Sequence, residues 1–526
     1  MGQKVQYRRK KMHFWDIAKW LRQQFLILVF AGSSPAISVL HSMNSLFLSF
    51  IEVSLGTYIS AAILFSVILS NFSFYSYPRL LSALSTFSIF VLGSMLFLLL
   101  SLEDPYYNTF FGLLSFSPFS SFFEILLLFF GCFVLLLNRS YYSKRGLFQY
   151  EYDLLLSFSF LGLVMLCLSN DLLVVYMAIE LQSLAFYVLA TFRRNSEFSN
   201  EAGLKYFILG SFSSCFLLFG FSLIYLSLGS TSFDTLMKLS ETGGTLDLAP
   251  LGLVLSVVAL LFKLGAVPFH MWLCDVYEGA LISVTAFFAI IPKAVIFCLL
   301  FKIFFVVFSS YGSFWSFWFT VTGFSSVAVA SVVALYQKRT KRLLAYSAIS
   351  HVGFILLGIS SGTIDSIKAA IIYLVIYMIM NVGIFSLIMS FSSNGLLLKY
   401  LINWSFLKKW NIVLAMTFAI LLFSVAGVPP LAGFYSKFGI ILTLVTQENL
   451  ALALMVIIFS CIACFYYIRL IKILFFGESK NYVLINKTSS KGLELCLALS
   501  TMGVCFFLLK PNFLLNISYY VALCLI

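Results

Sequence analysis

Residues 251–279 read LGLVLSVVALLFKLGAVPFHMWLCDVYEG. From Leu251 to Phe262 the run is almost wholly apolar; then Lys263 puts a full positive charge where a membrane span is driest, and Val267-Pro268 follows shortly after. Proline removes a backbone donor and clashes with the preceding turn, so this span divides into two half-helices. Backbone groups freed at membrane depth are tolerated only where protein or water covers them. Charge and break together therefore call for a functional reason.

The rest of the chain agrees with a membrane setting. Of 526 residues, 61% are hydrophobic, 10% are charged and 60 are phenylalanine, and the mean hydropathy is +1.03. A soluble domain carries about 25% charged residues, so most of this mass belongs in lipid. The apolar runs are continuous and near the ~20 residues that cross the hydrocarbon as a helix, unlike the short alternating segments of a barrel. The fold class is an all-α polytopic membrane protein.

Spans are expected near 44–70, 80–102, 110–137, 152–169, 171–192, 203–228, 250–273, 281–302, 314–336, 343–360, 366–391, 411–444, 450–476 and 492–510, about fourteen in all on the usual span length. Basic residues gather in alternate loops, at Arg79, Arg139, Lys144 and Arg145, Arg193 and Arg194, Lys338 to Arg342, Lys399, Lys408 and Lys409, then Lys480, Lys487 and Lys491. The intervening loops carry Glu103, Asp104, Asp171, Asp234, Glu241, Asp247, Asp365 and Glu448. That alternation is a topology signal, so the net charge of +13 argues for oriented insertion and against nucleic acid. The Asp275–Glu278 loop is the main exception, with two acids on the basic side.

Residues 1–43 read as a basic amphipathic extension, either lying in the interface or serving as a targeting segment. A second broken span is expected at FSVAGVPPLAGF; pairing Phe262, Val267 and Pro268 with Phe423, Val428 and Pro429 gives an offset of about 160 residues, as in a repeated half.

Glu180, Lys263, Lys293 and Lys437 lie inside apolar runs. Each buried charge costs about 2.5–3.5 kcal/mol on insertion scales, which makes such residues functional candidates. One carboxylate with several lysines suggests proton transfer along a polar axis. A lysine taken out of water gives up its proton more readily, and a nearby carboxylate opposes the loss; a Glu180–Lys263 pair that closes and opens would bind and release a proton. His351 is a candidate relay. Plainer alternatives stand beside these: a Glu–Lys pair can lock two helices, a lysine near a span end can snorkel, and His351 can be a hydrogen-bonded core residue. His270 is expected to bond carbonyls at the broken helix, and Glu52 and Glu124 to make helix or subunit contacts. The ten cysteines lack metal-ligand spacing, Cys461 and Cys464 included, and no dinucleotide, Walker or iron–sulfur motif is present. Redox chemistry is expected on other chains.

The stretches NDLLVVYMAIELQSLAFYVLA, EAGLKYFILGSFSS, LFKLGAVPFHMW with DVYEG and VTAFF, KRLLAYSAISHVGF, GVPPLAGFYSKF and FYYIRLIK occur in order between about Glu151 and Lys472. Together they make the chain resemble the antiporter-like subunit 2 family of mitochondrial NADH:ubiquinone oxidoreductase, respiratory complex I. The resemblance implies fourteen helices, two inverted five-helix repeats (151–302 and 303–476) and discontinuous seventh and twelfth helices. Transmembrane helices at 44–150 would precede the repeats, and a loop, last helix and tail at 477–526 would follow them. It implies that Glu180 is the helix-5 carboxylate, Lys263 the helix-7 lysine, Lys293 the helix-8 connecting lysine and Lys437 the helix-12 lysine toward the exit. It further implies proton translocation in the mitochondrial inner membrane, no cofactor on this chain, and NADH, FMN, iron–sulfur clusters and ubiquinone on other subunits. Partners would be other membrane-arm subunits, antiporter-like and small ones, with membrane lipids such as cardiolipin. The chain departs from the family at Trp272-Leu-Cys-Asp-Val-Tyr-Glu-Gly-Ala-Leu-Ile-Ser, where relatives commonly carry Trp-x-Pro-Asp-x-Tyr-Glu-Gly-Ser-Pro-Thr. Rival expectations are a cation/proton antiporter subunit and a non-pumping spacer of the membrane arm.

Overall fold

The computed structural model describes residues 107–145, 150–241, 248–391, 399–477 and 491–525. The amino-terminal extension, the spans expected at 44–70 and 80–102, and Glu52 lie outside the described residues. Ten helices among the described residues are long and apolar enough to cross a membrane.

The described residues open with a small hairpin, β1 (Tyr107–Thr109) against β2 (Leu114–Phe116), antiparallel with Tyr107 opposite Phe116. The helix expected from 110 therefore starts only at Pro118, a residue suited to a first helical turn because its missing N–H is not needed there. The helices are α1 (Pro118–Arg145), α2 (Tyr150–Leu168), α3 (Leu172–Ala190), α4 (Glu197–Leu228), α5 (Phe233–Glu241), α6 (Leu248–Leu264), α7 (Met271–Gly279), α8 (Ile282–Phe301), α9 (Gly312–Tyr336), α10 (Thr340–Ser360), α11 (Ile364–Phe391), α12 (Ile412–Ala426), α13 (Ala432–Thr446), α14 (Leu450–Phe476), α15 (Lys491–Phe506) and α16 (Asn512–Leu523). The short α5 and α16 were not anticipated, because neither is long enough to leave a membrane-span signal. Past its expected end, α8 continues as a π turn, Lys302–Val307.

Polar residues start and stop these helices. Asp171 accepts from Leu173 N–H at 2.8 Å to begin α3, and Asn411 accepts from Val413 N–H at 3.0 Å to begin α12. Inside the spans, hydroxyls such as those of Ser159, Ser256 and Ser347 return to a carbonyl of their own helix, which satisfies them without water. Gly220 faces Gly252 between α4 and α6, and Gly323 faces Gly353 between α9 and α10, each close to the other's carbonyl. Small residues at these points let backbones approach, which is how helices gain packing where lipid offers no hydrophobic drive.

Burial ranks the helices. In α8, α10 and α11 the most apolar stretch is 94%, 89% and 94% buried, against 28% in α14 and 33% in α15. The first three thus form the central axis, and the last two present apolar side chains outward.

Both expected breaks are present, between α6 and α7 and between α12 and α13. They share one geometry. Gly265 (φ +75°) and Gly427 (φ +87°) occupy the left-handed region directly after a half-helix. Gly265 N–H and Ala266 N–H both reach Leu261 O, while Gly427 N–H and Val428 N–H both reach Phe423 O. This is a Schellman closure, which uses carbonyls a helix end leaves open. It pairs Leu261 with Phe423 and Pro268 with Pro430, one residue further than the pairing of Pro268 with Pro429 expected from the sequence. The shift arises because the second break has two prolines and the glycine, not the proline, fixes the register.

Candidate functional site

Lys263 lies in the last turn of α6, two residues before Gly265. Its Nζ is buried and makes no hydrogen bond to the protein. Glu180 projects from α3, where its Oε2 accepts a long 3.4 Å contact from Ser183 Oγ and its Oε1 has no partner. The charge of Glu180 acts on Lys263, yet no ion pair joins them. The two residues expected to act as a pair thus share no direct contact in this structure.

Aromatic rings wall this region. Trp272 stacks on Tyr206 at 4.7 Å and on Phe262 at 5.3 Å, and its Nε1 donates to Phe262 O at 2.9 Å. Tyr206 in turn packs edge-on against Tyr187 of α3. The indole N–H thus satisfies a backbone carbonyl beside the break, as polar groups at membrane depth require. His270 is buried at the start of α7, and its Nδ1 has no partner in hydrogen-bonding geometry. Its polar neighbour is the Pro268 backbone carbonyl, in the broken segment itself.

The second cluster is joined partly by hydrogen bonds and partly by ring contacts. Lys293, in α8 directly after Pro292, is 4% exposed. Its Nζ donates to Tyr377 Oη at 3.1 Å and, weakly, to Ala348 O at 3.4 Å. Tyr377 Oη donates to Ala289 O at 3.1 Å, in the turn that Pro292 interrupts. His351 of α10 packs 5.3 Å from the Tyr377 ring, and its Nδ1 shares a 2.7 Å hydrogen bond with Tyr373 Oη. The Tyr373 ring stacks on Phe354, and Lys437 Nζ lies 5.6 Å over the other ring of that contact, Phe354 itself. Lys437, on α13, reaches back across the break and donates to Val425 O at 2.9 Å and Ala426 O at 2.7 Å. A cation at a helix C-terminus meets the negative end of its dipole.

The five residues singled out in the sequence thus fall into two groups. Glu180 and Lys263 form one; Lys293, His351 and Lys437 form the other, joined through Tyr377, Tyr373 and Phe354. No hydrogen bond among the described residues connects Lys263 to Lys293. Sequence reasoning missed the two tyrosines and Lys302. Lys302 is 7% exposed and donates to Cys167 O at 2.6 Å and Ser169 O at 3.3 Å, closing the end of α2. The apolar Ile303–Val307 run after it was the available signal. Glu124 is wholly buried and its charge acts on Lys302, so it turns into this chain and not toward a neighbour.

Among the described residues, no group of three or more His, Cys, Asp or Glu could hold a metal ion. The ten cysteines are free, with Cys461 exposed.

Residues 169–463 match the family model described as NADH:quinone oxidoreductase/Mrp antiporter, transmembrane. The chain is 38% identical over 479 residues to the NADH-ubiquinone oxidoreductase chain 2 of Marchantia polymorpha, covering 88% of this chain and 95% of that one. It is 37% identical to the NADH-quinone oxidoreductase subunit N of Paramagnetospirillum magneticum, covering 82% and 89%. A chain of respiratory complex I from Thermus thermophilus superposes with a TM-score of 0.70 at 26% identity, covering 87% of this chain and 98% of that one.

Proposed function

The chain belongs to the NADH:quinone oxidoreductase/Mrp antiporter transmembrane family, and from that premise we propose that it is the antiporter-like subunit 2 of respiratory complex I, moving protons across the mitochondrial inner membrane. It works as part of an NADH:ubiquinone reductase whose flavin, iron–sulfur clusters and quinone site belong to other subunits. Its neighbours are other membrane-arm subunits and lipid, cardiolipin included. Residues 151–302 and 303–476 are the two inverted repeats, each holding one broken helix.

The observation that carries this reading is the line of buried polar groups through α8, α10 and α11, from Lys293 through Tyr377 to His351 and Tyr373. Helices so deeply buried gain nothing in stability from a lysine and a histidine that apolar residues would not supply better. Protons would load at Lys263 while Glu180 is near, and leave it when Glu180 withdraws. Lys293 would take the proton on, with Tyr377 Oη fixing its ammonium. His351 and Tyr373 would pass it toward Lys437 at the second break, with water bridging the gaps that lack a direct hydrogen bond. Quinone reduction elsewhere would drive the cycle by shifting the balance between closed and open Glu180–Lys263 states.

Isolation in mild detergent tests the assembly: flavin and iron–sulfur subunits should co-purify with the chain, and its recovery alone or only with antiporter partners would overturn the reading. Lys293→Met tests transport: the assembled complex should lose protons moved per electron. An unchanged ratio would make the chain a spacer.

A further inference from the structure

Every ion pair recorded among the described residues belongs to one cluster, at the α7 end of the first break. Asp275 takes Lys205 of α4 at 2.9 Å on one oxygen and Arg342 of α10 at 3.1 Å on the other. Glu278 pairs with Arg339 and with Arg342 Nε. Lys205 holds Glu201 as well, at 2.7 Å. Lys341 adds a backbone tie, donating to Ala280 O at 2.5 Å and to Glu278 O at 3.4 Å. The two acids that break the loop charge pattern are thus the counter-ions of the basic loop itself.

What the cluster holds is unusual. α7 has nine residues and no helical connection to α6, because the backbone turns away at Gly265. Its position is set by side contacts. It packs on α4 and on α10, and Gly279 meets α4 so closely that a side chain there would overlap Phe198 O and the Ala202 methyl. Arg342 grips both acids, and a planar guanidinium fixes orientation where a lysine supplies only charge. α4 and α7 belong to the half that carries Lys263, while α10 carries His351 about two and a half turns beyond Arg342.

We propose that Asp275 and Glu278, clamped by Lys205, Arg339 and Arg342, form an electrostatic latch that sets half-helix α7 against α10, so that proton movement at Lys263 in the first half is tied to movement at His351 in the second, and at Lys293 of the first half, which reaches α10 through Ala348 O. These are positioning residues, and the proposal rests on the proton-translocating reading above. Single exposed ion pairs contribute little; here Glu278 is 15% exposed and several charges share partners, which gives the arrangement directional hold. When α7 shifts, the carboxylates move with it and displace the first turn of α10. When α10 is held, α7 stays in register with Lys263.

The test uses the intact complex in sealed membranes, reading protons per electron alongside NADH oxidation and subunit content. Glu278→Gln and Asp275→Asn should each cut protons per electron at unchanged subunit content, and Glu278→Asp, which keeps the charge facing both Arg339 and Arg342, should recover at least half of the Glu278→Gln loss. Arg342→Lys keeps the charge but cannot bridge both acids, so it should give an intermediate ratio in a complex that assembles. Normal ratios in Glu278→Gln and Asp275→Asn, no recovery in Glu278→Asp, or failure of Arg342→Lys to assemble would each overturn the latch. Lys263→Met is run in parallel: if it too pumps normally, the proton-translocating reading itself falls, whereas loss there beside normal latch variants removes the latch alone.

Discussion

Lys437 Nζ donates a 2.7 Å hydrogen bond to Ala426 O, so a side chain of the second half-helix closes the end of the first. The other break lacks that closure: Lys263 stands before its glycine, not after the break, and its Nζ bonds nothing in the protein. One fold geometry is thus used with the charge on opposite sides. At the second break the ammonium holds the backbone, and at the first it is left without a hydrogen bond, with the Glu180 charge acting on it.

Lys437→Met leaves the Val425 and Ala426 carbonyls without their ammonium, at about 1–3 kcal/mol for a buried group left unsatisfied. Lys263→Met removes a buried amine that has no hydrogen bond to lose. Both variants should lower protons per electron, but only Lys437→Met should shorten the half-life of the purified complex at raised temperature. Equal half-lives would mean that the Lys437 contacts carry no stabilising weight.

Tyr377 is the one side chain bonded to Lys293. A hydrogen bond to a charged group contributes about 1.5–3 kcal/mol, so Tyr377→Phe should slow transfer through Lys293 about 10- to 100-fold if it is made only in the transferring state. Tyr373→Phe leaves His351 without its 2.7 Å partner, which is a neutral contact of about 1 kcal/mol, and should slow transfer about fivefold. Stopped-flow acidification of reconstituted vesicles would rank the two, and the reverse order would remove Tyr377 from the path.

Much of this was open to reading before any coordinates. Lys263, Lys293 and Lys437 announce themselves because charge is rare in long apolar runs, and Gly-Ala-Val-Pro and Gly-Val-Pro-Pro announce the breaks because glycine and proline end helices for known reasons. The bridging residues do not. Tyr373 and Tyr377 are two of 27 tyrosines, and tyrosine is equally at home at the membrane interface. Only packing brings Tyr377 to Lys293, 84 residues away in the chain. Lys302 stands at the expected end of a span, where a lysine raises no question, and its burial depends on the π turn that carries α8 past that limit. The odd Asp275–Glu278 acids needed α10 to explain them.

Glu180 is the carboxylate whose charge acts on Lys263. Glu180→Gln keeps the shape and the Ser183 contact but removes the charge that favours a protonated amine. Protons per electron should fall as far as in Lys263→Met, and the double variant should be no worse than either single one, because residues acting as a unit are not additive. A double variant with a clearly larger loss would place the two residues in separate steps.

Gly427 lets the second break form in two ways. Its φ of +87° lies where an ordinary residue is strained by about 1–2 kcal/mol, and a methyl there would sit 2.9 Å from Lys437 Cδ and 3.2 Å from Nζ. Gly427→Ala should therefore both destabilise the turn and push the ammonium off Val425 O and Ala426 O. Gly265→Ala meets a similar φ, +75°, but presses on Leu273 of α7 and touches no lysine. Combining each with Lys437→Met separates the two effects through thermal inactivation. With Gly427→Ala the losses should overlap by at least about 0.5 kcal/mol, as for residues in contact, since the bond that alanine disturbs is already gone. With Gly265→Ala they should add. Additive losses in both pairs would leave Gly427 a backbone role only, and Lys437 would then hold its two carbonyls without help from the glycine beneath it.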